Sequence, residues 1–228
     1  MKVLKLISVL LDYPTDELWQ HRRELLEAAD TAEVAPRRRT QLGEFVAELL
    51  ALDPMSAQER WLGLFDRGRS MSLLMFEHIH GESRDRGQAM VNLIETYRSG
   101  GLVLARRELP DYLPLMLEYL SQRPDAEVAD WLTHTGHILE LLAARAEERG
   151  SPFALLFELL IEIGQAEVDL DAVRRRVATE SRDDTPEAMD RVWEEEAVRF
   201  GAAAPAADCT PPRRPPPAAQ PHDSKVMR

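Results

Sequence analysis

The chain has 228 residues and a mass of 25.9 kDa, enough for one domain with a single core or for two small ones. Its 40 acidic and 28 basic side chains leave a formal net charge of −12, which argues against a nucleic-acid binder, since phosphates call for a basic face. A lone cysteine, Cys209, excludes an intramolecular disulfide framework and any cysteine-based zinc or iron–sulfur cage.

The periodicity is helical nearly everywhere. Val3, Leu6, Ile7, Leu10 and Leu11 fall on one stripe, and Tyr13-Pro14 ends it because the proline ring blocks continuation. The opening Met1–Lys5 resembles the start of a signal peptide, but the apolar run from Leu6 is broken by Asp12 and no small-residue cleavage site follows. No stretch approaches the length of apolar residues that a membrane span requires, so a cytoplasmic location is expected. Thr15 can cap a second helix with Leu18, Leu25 and Leu26 inward, and a third runs from Pro36 to Leu52. Ser56-Ala57-Gln58-Glu59 reads as a capping box opening a fourth helix with Trp61, Leu62, Leu64 and Phe65.

A helix expected over 70–80 is apolar nearly all round, with Met71, Leu73, Leu74, Met75, Phe76 and Ile79, and should therefore be central and buried. Gly81 stops it, and another runs from Ser83 to Ser99. Leu109–Pro114 leads into a short helix through Leu120, Asp125 caps a long one to Arg149, and Ser151-Pro152 opens a strongly apolar one. Thr185-Pro186 starts a last helix that stops near Phe200-Gly201. No alternating strand pattern occurs, so the expected architecture is all-α: one compact domain of roughly ten helices over 1–201. Seven of the 15 prolines lie in Pro205–Pro221, which predicts an extended, mobile, disordered tail over 202–228. The tail carries four basic and two acidic residues, which leaves residues 1–201 at −14.

Glu77 and His80 form a Glu-x-x-His pair whose spacing can place two metal ligands on one helical face. Ferritin-like di-iron bundles use that motif twice, whereas it occurs once here, and helical metal binding stays as the alternative reading. His134, His137 and Glu140 also lie at ligand spacing, but a solvated helix face is by far the better account of them. The ionisable end of the 70–80 helix, Glu77, His78 and His80, needs partners if the helix is buried, and Arg84 and Arg86 follow at once. That cluster reads either as a satisfied core network or as a polar anchor beside a groove. Glu158 and Glu162, at i, i+4 on an apolar surface, read either as a solvated stripe or as an acidic lip for a basic amphipathic helix. Gly-rich nucleotide loops, His-Glu-x-x-His and Gly-x-Ser-x-Gly are absent, so no enzyme is indicated.

The stretch from Phe65-Asp66 through Ser72-Leu73-Leu74 and Glu77-His78-Ile79-His80-Gly81-Glu82-Ser83-Arg84-Asp85-Arg86-Gly87-Gln88-Ala89-Met90 resembles the signature of the respiratory nitrate reductase assembly chaperones, the NarJ family. Tyr97 and Gly101-Leu102 follow in matching order. Leu109-Pro110-Asp111-Tyr112-Leu113-Pro114 with Leu117-Glu118-Tyr119-Leu120 is similar to the family's second block, and Leu10-Leu11-Asp12-Tyr13-Pro14 to its opening. Many members of the wider group carry Asp-His in the second block. Here Asp111 is followed by Tyr112, which fits the nitrate reductase branch.

The resemblance implies an all-helical, non-catalytic chaperone. It would bind the N-terminal segment of the reductase's catalytic (alpha) subunit in the cytoplasm and hold the apoenzyme open for molybdenum cofactor insertion. Another molybdenum enzyme as client is the alternative. It would bind no cofactor stably itself, and cofactor-delivery proteins would be further partners. Apolar walls are expected from Phe65, Leu73, Leu74, Met90, Leu113 and Leu117, and acidic contacts from Glu77, Asp111, Glu118, Glu158 and Glu162. His78, His80, Arg84, Arg86, Tyr97, Pro110 and Tyr112 complete the expected peptide-binding set.

Overall fold

The computed structural model describes residues 1–80, 85–104, 108–167 and 169–191, with the backbone alone for His80. Met1–Met189 forms one compact unit; of a second, Asp190–Arg228, only the first two residues are described. The tail expected over 202–228 and the helix end near Phe200-Gly201 lie outside the described residues.

Among the described residues there are eleven α-helices and no strand: α1 (Lys2–Leu11), α2 (Asp16–Gln20), α3 (Arg22–Asp30), α4 (Pro36–Ala51), α5 (Pro54–Phe65), α6 (Met75–His80), α7 (Asp85–Ser99), α8 (Leu113–Leu120), α9 (Asp125–Glu148), α10 (Ala154–Gly164) and α11 (Leu170–Val177). Helical backbone resumes at 186, where Thr185 Oγ accepts the Ala188 N–H at 3.2 Å. None of these helices is long and apolar enough to cross a membrane.

The long helix α9 is the spine, with α10 folded back along it and α11 packed on its side. Gly150, at φ +64°, makes that reversal: Ser151 N–H donates to Ala146 O at 2.8 Å, closing the helix with the left-handed residue that favours glycine. At the other end α10 approaches α9 so closely that a Cβ on Gly164 would lie 2.5 Å from Leu132 Cβ. Opposite, α1 packs on α8, and α3 joins α1 to α4. The predicted stripe of α1 is buried in full, with Leu4, Ile7 and Leu11 completely enclosed. An aromatic chain, Tyr13–Trp61–Phe65–Phe153–Phe45, runs from the end of α1 into the core with ring centroids 5.2–5.4 Å apart.

Several helix boundaries differ from the sequence expectation. The helix expected over 70–80 is a 3-10 turn at Arg69–Met71, an extended Ser72–Leu74 and then α6. Leu74 instead forms an antiparallel bridge with Tyr112, a tertiary pairing that helical periodicity cannot express. The fourth helix starts three residues early: Asp53 is the cap, accepting Ser56 N–H at 3.1 Å, because Pro54 suits the first helical position. Asp125 lies inside the first turn behind Pro124, and α10 begins at Ala154 after a turn at Pro152-Phe153. The second helix is interrupted at His21 into α2 and α3.

Candidate functional site

The two sequence blocks meet. Leu113 N–H donates to Leu73 O at 2.8 Å and Met75 N–H to Asp111 O at 3.0 Å, so Leu73–Met75 and Asp111–Leu113 run side by side. Asp111 has no solvent exposure, and its Oδ2 accepts the Phe76 N–H at 3.0 Å. It therefore caps α6 from another part of the chain, satisfying amides that the helix start leaves open. Arg86, on α7, reaches Asp111 Oδ2 at 3.9 Å and Glu77 Oε1 at 3.6 Å. Burial raises the Asp111 carboxyl above its ordinary range, against the pull of the Phe76 amide and Arg86.

His78 turns back on its own loop, its Nε2 lying 2.8 Å from Ser72 O. A carbonyl only accepts, so Nε2 carries the proton. Burial, with Arg145 and His137 adding to it, holds this imidazole below its ordinary value. Tyr97 is buried and donates its hydroxyl to Pro110 O at 2.7 Å, which ties α7 to the second block; burial pushes its phenol up. The described geometry is a polar network joining α6, α7 and the turn before α8, in which Asp111 Oδ2 takes the Phe76 amide while the buried Asp111 Oδ1 has no hydrogen-bond partner.

Beside this network lies an open groove of about 660 Å³, within the range of peptide- and ligand-sized sites. One wall is the α1 stripe Lys5, Ser8, Val9 and Asp12; the other is Pro114, Leu115, Glu118 and Tyr119 of α8. Leu18, His21 and Leu25, with Leu102, Val103 and Leu104, complete the lining. Leu18, Leu25, Tyr97 and Tyr119 are buried, whereas Tyr13 and Val103 present exposed apolar surface at 38% and 80%. Asp12, Glu17, Glu108 and Glu118 make the lining acidic. Tyr112 donates its hydroxyl to Asp12 Oδ1 at 3.0 Å, and Lys5 pairs with Glu118, so α1 and α8 are linked across the groove.

The expected site residues divide among several places. Tyr97, Tyr112 and Glu118 line the groove. Phe65 and Leu117 are core residues, the first packed on Trp61 and Phe153. Leu73, Leu74, Glu77, His78, Arg86, Pro110, Asp111 and Leu113 build the network behind the groove. Met90 is half-buried on α7. Glu158 and Glu162 sit elsewhere, on α10, where Arg38 of α4 reaches them at 2.9 and 2.6 Å and Arg174 of α11 reaches Glu158 at 3.5 Å. Their charge is met within the chain. Arg84 and the His80 side chain lie outside the described residues, and with them the Glu77–His80 metal pair. Among the described residues no group of three or more His, Cys, Asp or Glu side chains is placed to hold a metal ion.

Sequence reasoning missed the α1 wall. Its signal was there: Lys5, Ser8, Val9 and Asp12 recur at i, i+3, i+4 and i+7 beside the buried stripe, and Asp12-Tyr13-Pro14 belongs to the recognised opening. The lining from Leu18 to Leu25 and from Leu102 to Leu104 is assembled by tertiary packing alone.

The described residues form an all-helical body with an acidic, apolar groove beside the point where the two sequence blocks converge, the geometry of a binding surface. The family model for the nitrate reductase delta subunit matches residues 18–158, and the chain belongs to that family. It is 50% identical over 200 residues to the nitrate reductase molybdenum cofactor assembly chaperone NarJ of Escherichia coli (strain K12), covering 87% of this chain and 85% of that protein. A probable chaperone of the same description, NarW of the same organism, is 44% identical over 200 residues, 88% of this chain and 84% of its own. A probable NarJ of Bacillus subtilis (strain 168) is 33% identical over 158 residues, 68% and 84% of the two chains. The names of all three relatives are those of molybdenum cofactor assembly chaperones, two of them probable ones, which is the family that the sequence resemblance pointed to.

Proposed function

We propose that this chain is a chaperone for molybdenum cofactor assembly in respiratory nitrate reductase, and that it works by holding the N-terminal segment of the catalytic subunit in the groove between α1, α2 and α8. The groove itself carries the reading: an apolar lining with acidic side chains, positioned by the family's own sequence blocks. A helical segment would lay an apolar face on Val9, Leu18, Leu104 and Leu115, with basic residues toward Glu17, Glu108 and Glu118. Bound in the cytoplasm, it would keep the apoenzyme competent to receive the cofactor and to join its membrane partners, with cofactor-delivery proteins acting on the held client. The chain itself retains no cofactor.

Calorimetry with a synthetic peptide of that N-terminal segment tests this. Binding at about micromolar affinity or tighter at low salt, weakening as salt rises, is expected. Val9→Arg, which places a charge in the lining, should abolish it. Undiminished binding by that variant would move the site elsewhere.

A further inference from the structure

We propose that Lys5 is an internal placeholder in the groove: its ammonium occupies Glu118 while the groove is empty and yields it to a basic side chain of the client. This rests on the groove reading above and adds a device that sets its specificity.

The pair spans the groove wall, from α1 to α8, with Lys5 and Glu118 113 positions apart in sequence. Both side chains are half-exposed, at 50% and 46%, so water and salt screen their attraction and the pair is easily exchanged. The two helices do not depend on it. Leu4, Ile7 and Leu11 of α1 and Leu117 of α8 are fully buried, and Ser8 Oγ donates to Pro114 O at 2.7 Å.

Charge makes the pair a choice. The described lining residues include four carboxylates and one lysine. Lys5 is thus the lysine among the described lining residues, set on one of the acids a basic client would use. Its four-carbon stem is flexible, so the ammonium can swing into water when displaced. An arginine of the client would be the stronger competitor, because its planar fork matches a carboxylate bidentately where an ammonium is a point charge. A purely apolar segment would leave Lys5 in place and gain nothing from Glu118. The groove then discriminates by exchange, which separates basic amphipathic segments from apolar ones.

A double-mutant cycle on the full chain tests the proposal, read by calorimetry at low salt with the synthetic N-terminal peptide as probe. Lys5→Met keeps the stem and removes the competitor, so binding should tighten about three- to five-fold. Glu118→Gln should weaken it by a similar factor, and Lys5→Met should then have no further effect in the Glu118→Gln background. Unchanged or weaker binding by Lys5→Met overturns the placeholder. So does an equal gain in both backgrounds, which would show only the general field of one removed charge. Val9→Arg separates the two readings: if it abolishes binding while Lys5→Met brings no gain, the placeholder falls and the groove stands. Failure of the unaltered chain to bind the peptide overturns both.

Discussion

Asp111 and Phe76 are joined by a hydrogen bond of 3.0 Å in which a fully buried carboxylate takes the amide of a helix start 35 residues away. The backbone of Asp111 accepts the preceding amide, Met75 N–H, at 3.0 Å. One residue of the second block therefore finishes the helix that carries the first block. Asp111→Asn keeps an acceptor for Phe76 and should stay within about 1 kcal/mol of the parent, whereas Asp111→Ala strands the amide and should cost about 1–3 kcal/mol. The carboxyl is raised in the folded state, so the folded chain binds more protons just above the ordinary value of 3.8. On acidification from neutral pH toward that value, the parent should gain stability relative to Asp111→Asn. Urea midpoints of the three proteins across pH measure both effects.

His78 carries the opposite sign. Its folded value lies below the ordinary 6.5, so below pH 6.5 the unfolded chain binds the extra proton and stability is lost on acidification. Between pH 7.5 and 5.5 the parent should lose stability more steeply than His78→Gln, by up to about 1.4 kcal/mol per pH unit. Equal slopes in denaturant titrations would assign the acid sensitivity to other groups.

Where α10 meets α9, two adjacent residues should respond in opposite directions. A methyl at Gly164 would press on Leu132, whose Cβ is 2.5 Å and backbone carbon 3.1 Å from the added atom, and Gly164→Ala should cost about 1–3 kcal/mol. Gln165 holds φ +50°, a left-handed conformation that glycine adopts without strain. Gln165→Gly should stabilise by about 1 kcal/mol. Thermal unfolding of the two variants reads the signs directly.

Arg38 stands between Glu158 and Glu162 with only 21% of its side chain exposed. Arg38→Met would leave two carboxylates with less compensation and should cost about 1–3 kcal/mol, between the values for exposed and buried pairs. Replacing both glutamates by glutamine should leave peptide affinity within about two-fold, because their charge is met within the chain and they do not line the groove. A large loss of affinity in calorimetry would restore the acidic lip on α10.

Much of the fold was legible in the residues because helices are local. The apolar stripe of α1, Pro36 and Gly150 each act within a turn or two, and the helix boundaries they set form where expected. The 70–80 segment was misread for the converse reason. Its apolar composition is right for a buried element, yet Ser72–Leu74 is extended because the backbone of Asp111–Leu113 competes for its hydrogen bonds.

The same division runs through the site. From sequence alone came the all-helical class, the two blocks and the family to which they belong. Tertiary structure alone decided which block residues face a groove. Composition and spacing mark Asp111, Glu118, Glu158 and Glu162 as equally acidic, but their surroundings separate them. Asp111 is enclosed as a helix cap, Glu158 and Glu162 are paired with arginines of α4 and α11, and Glu118 opens onto the groove opposite Lys5. A carboxylate's role is set by what surrounds it in space, and its neighbours here come from 16 to 124 positions away along the chain.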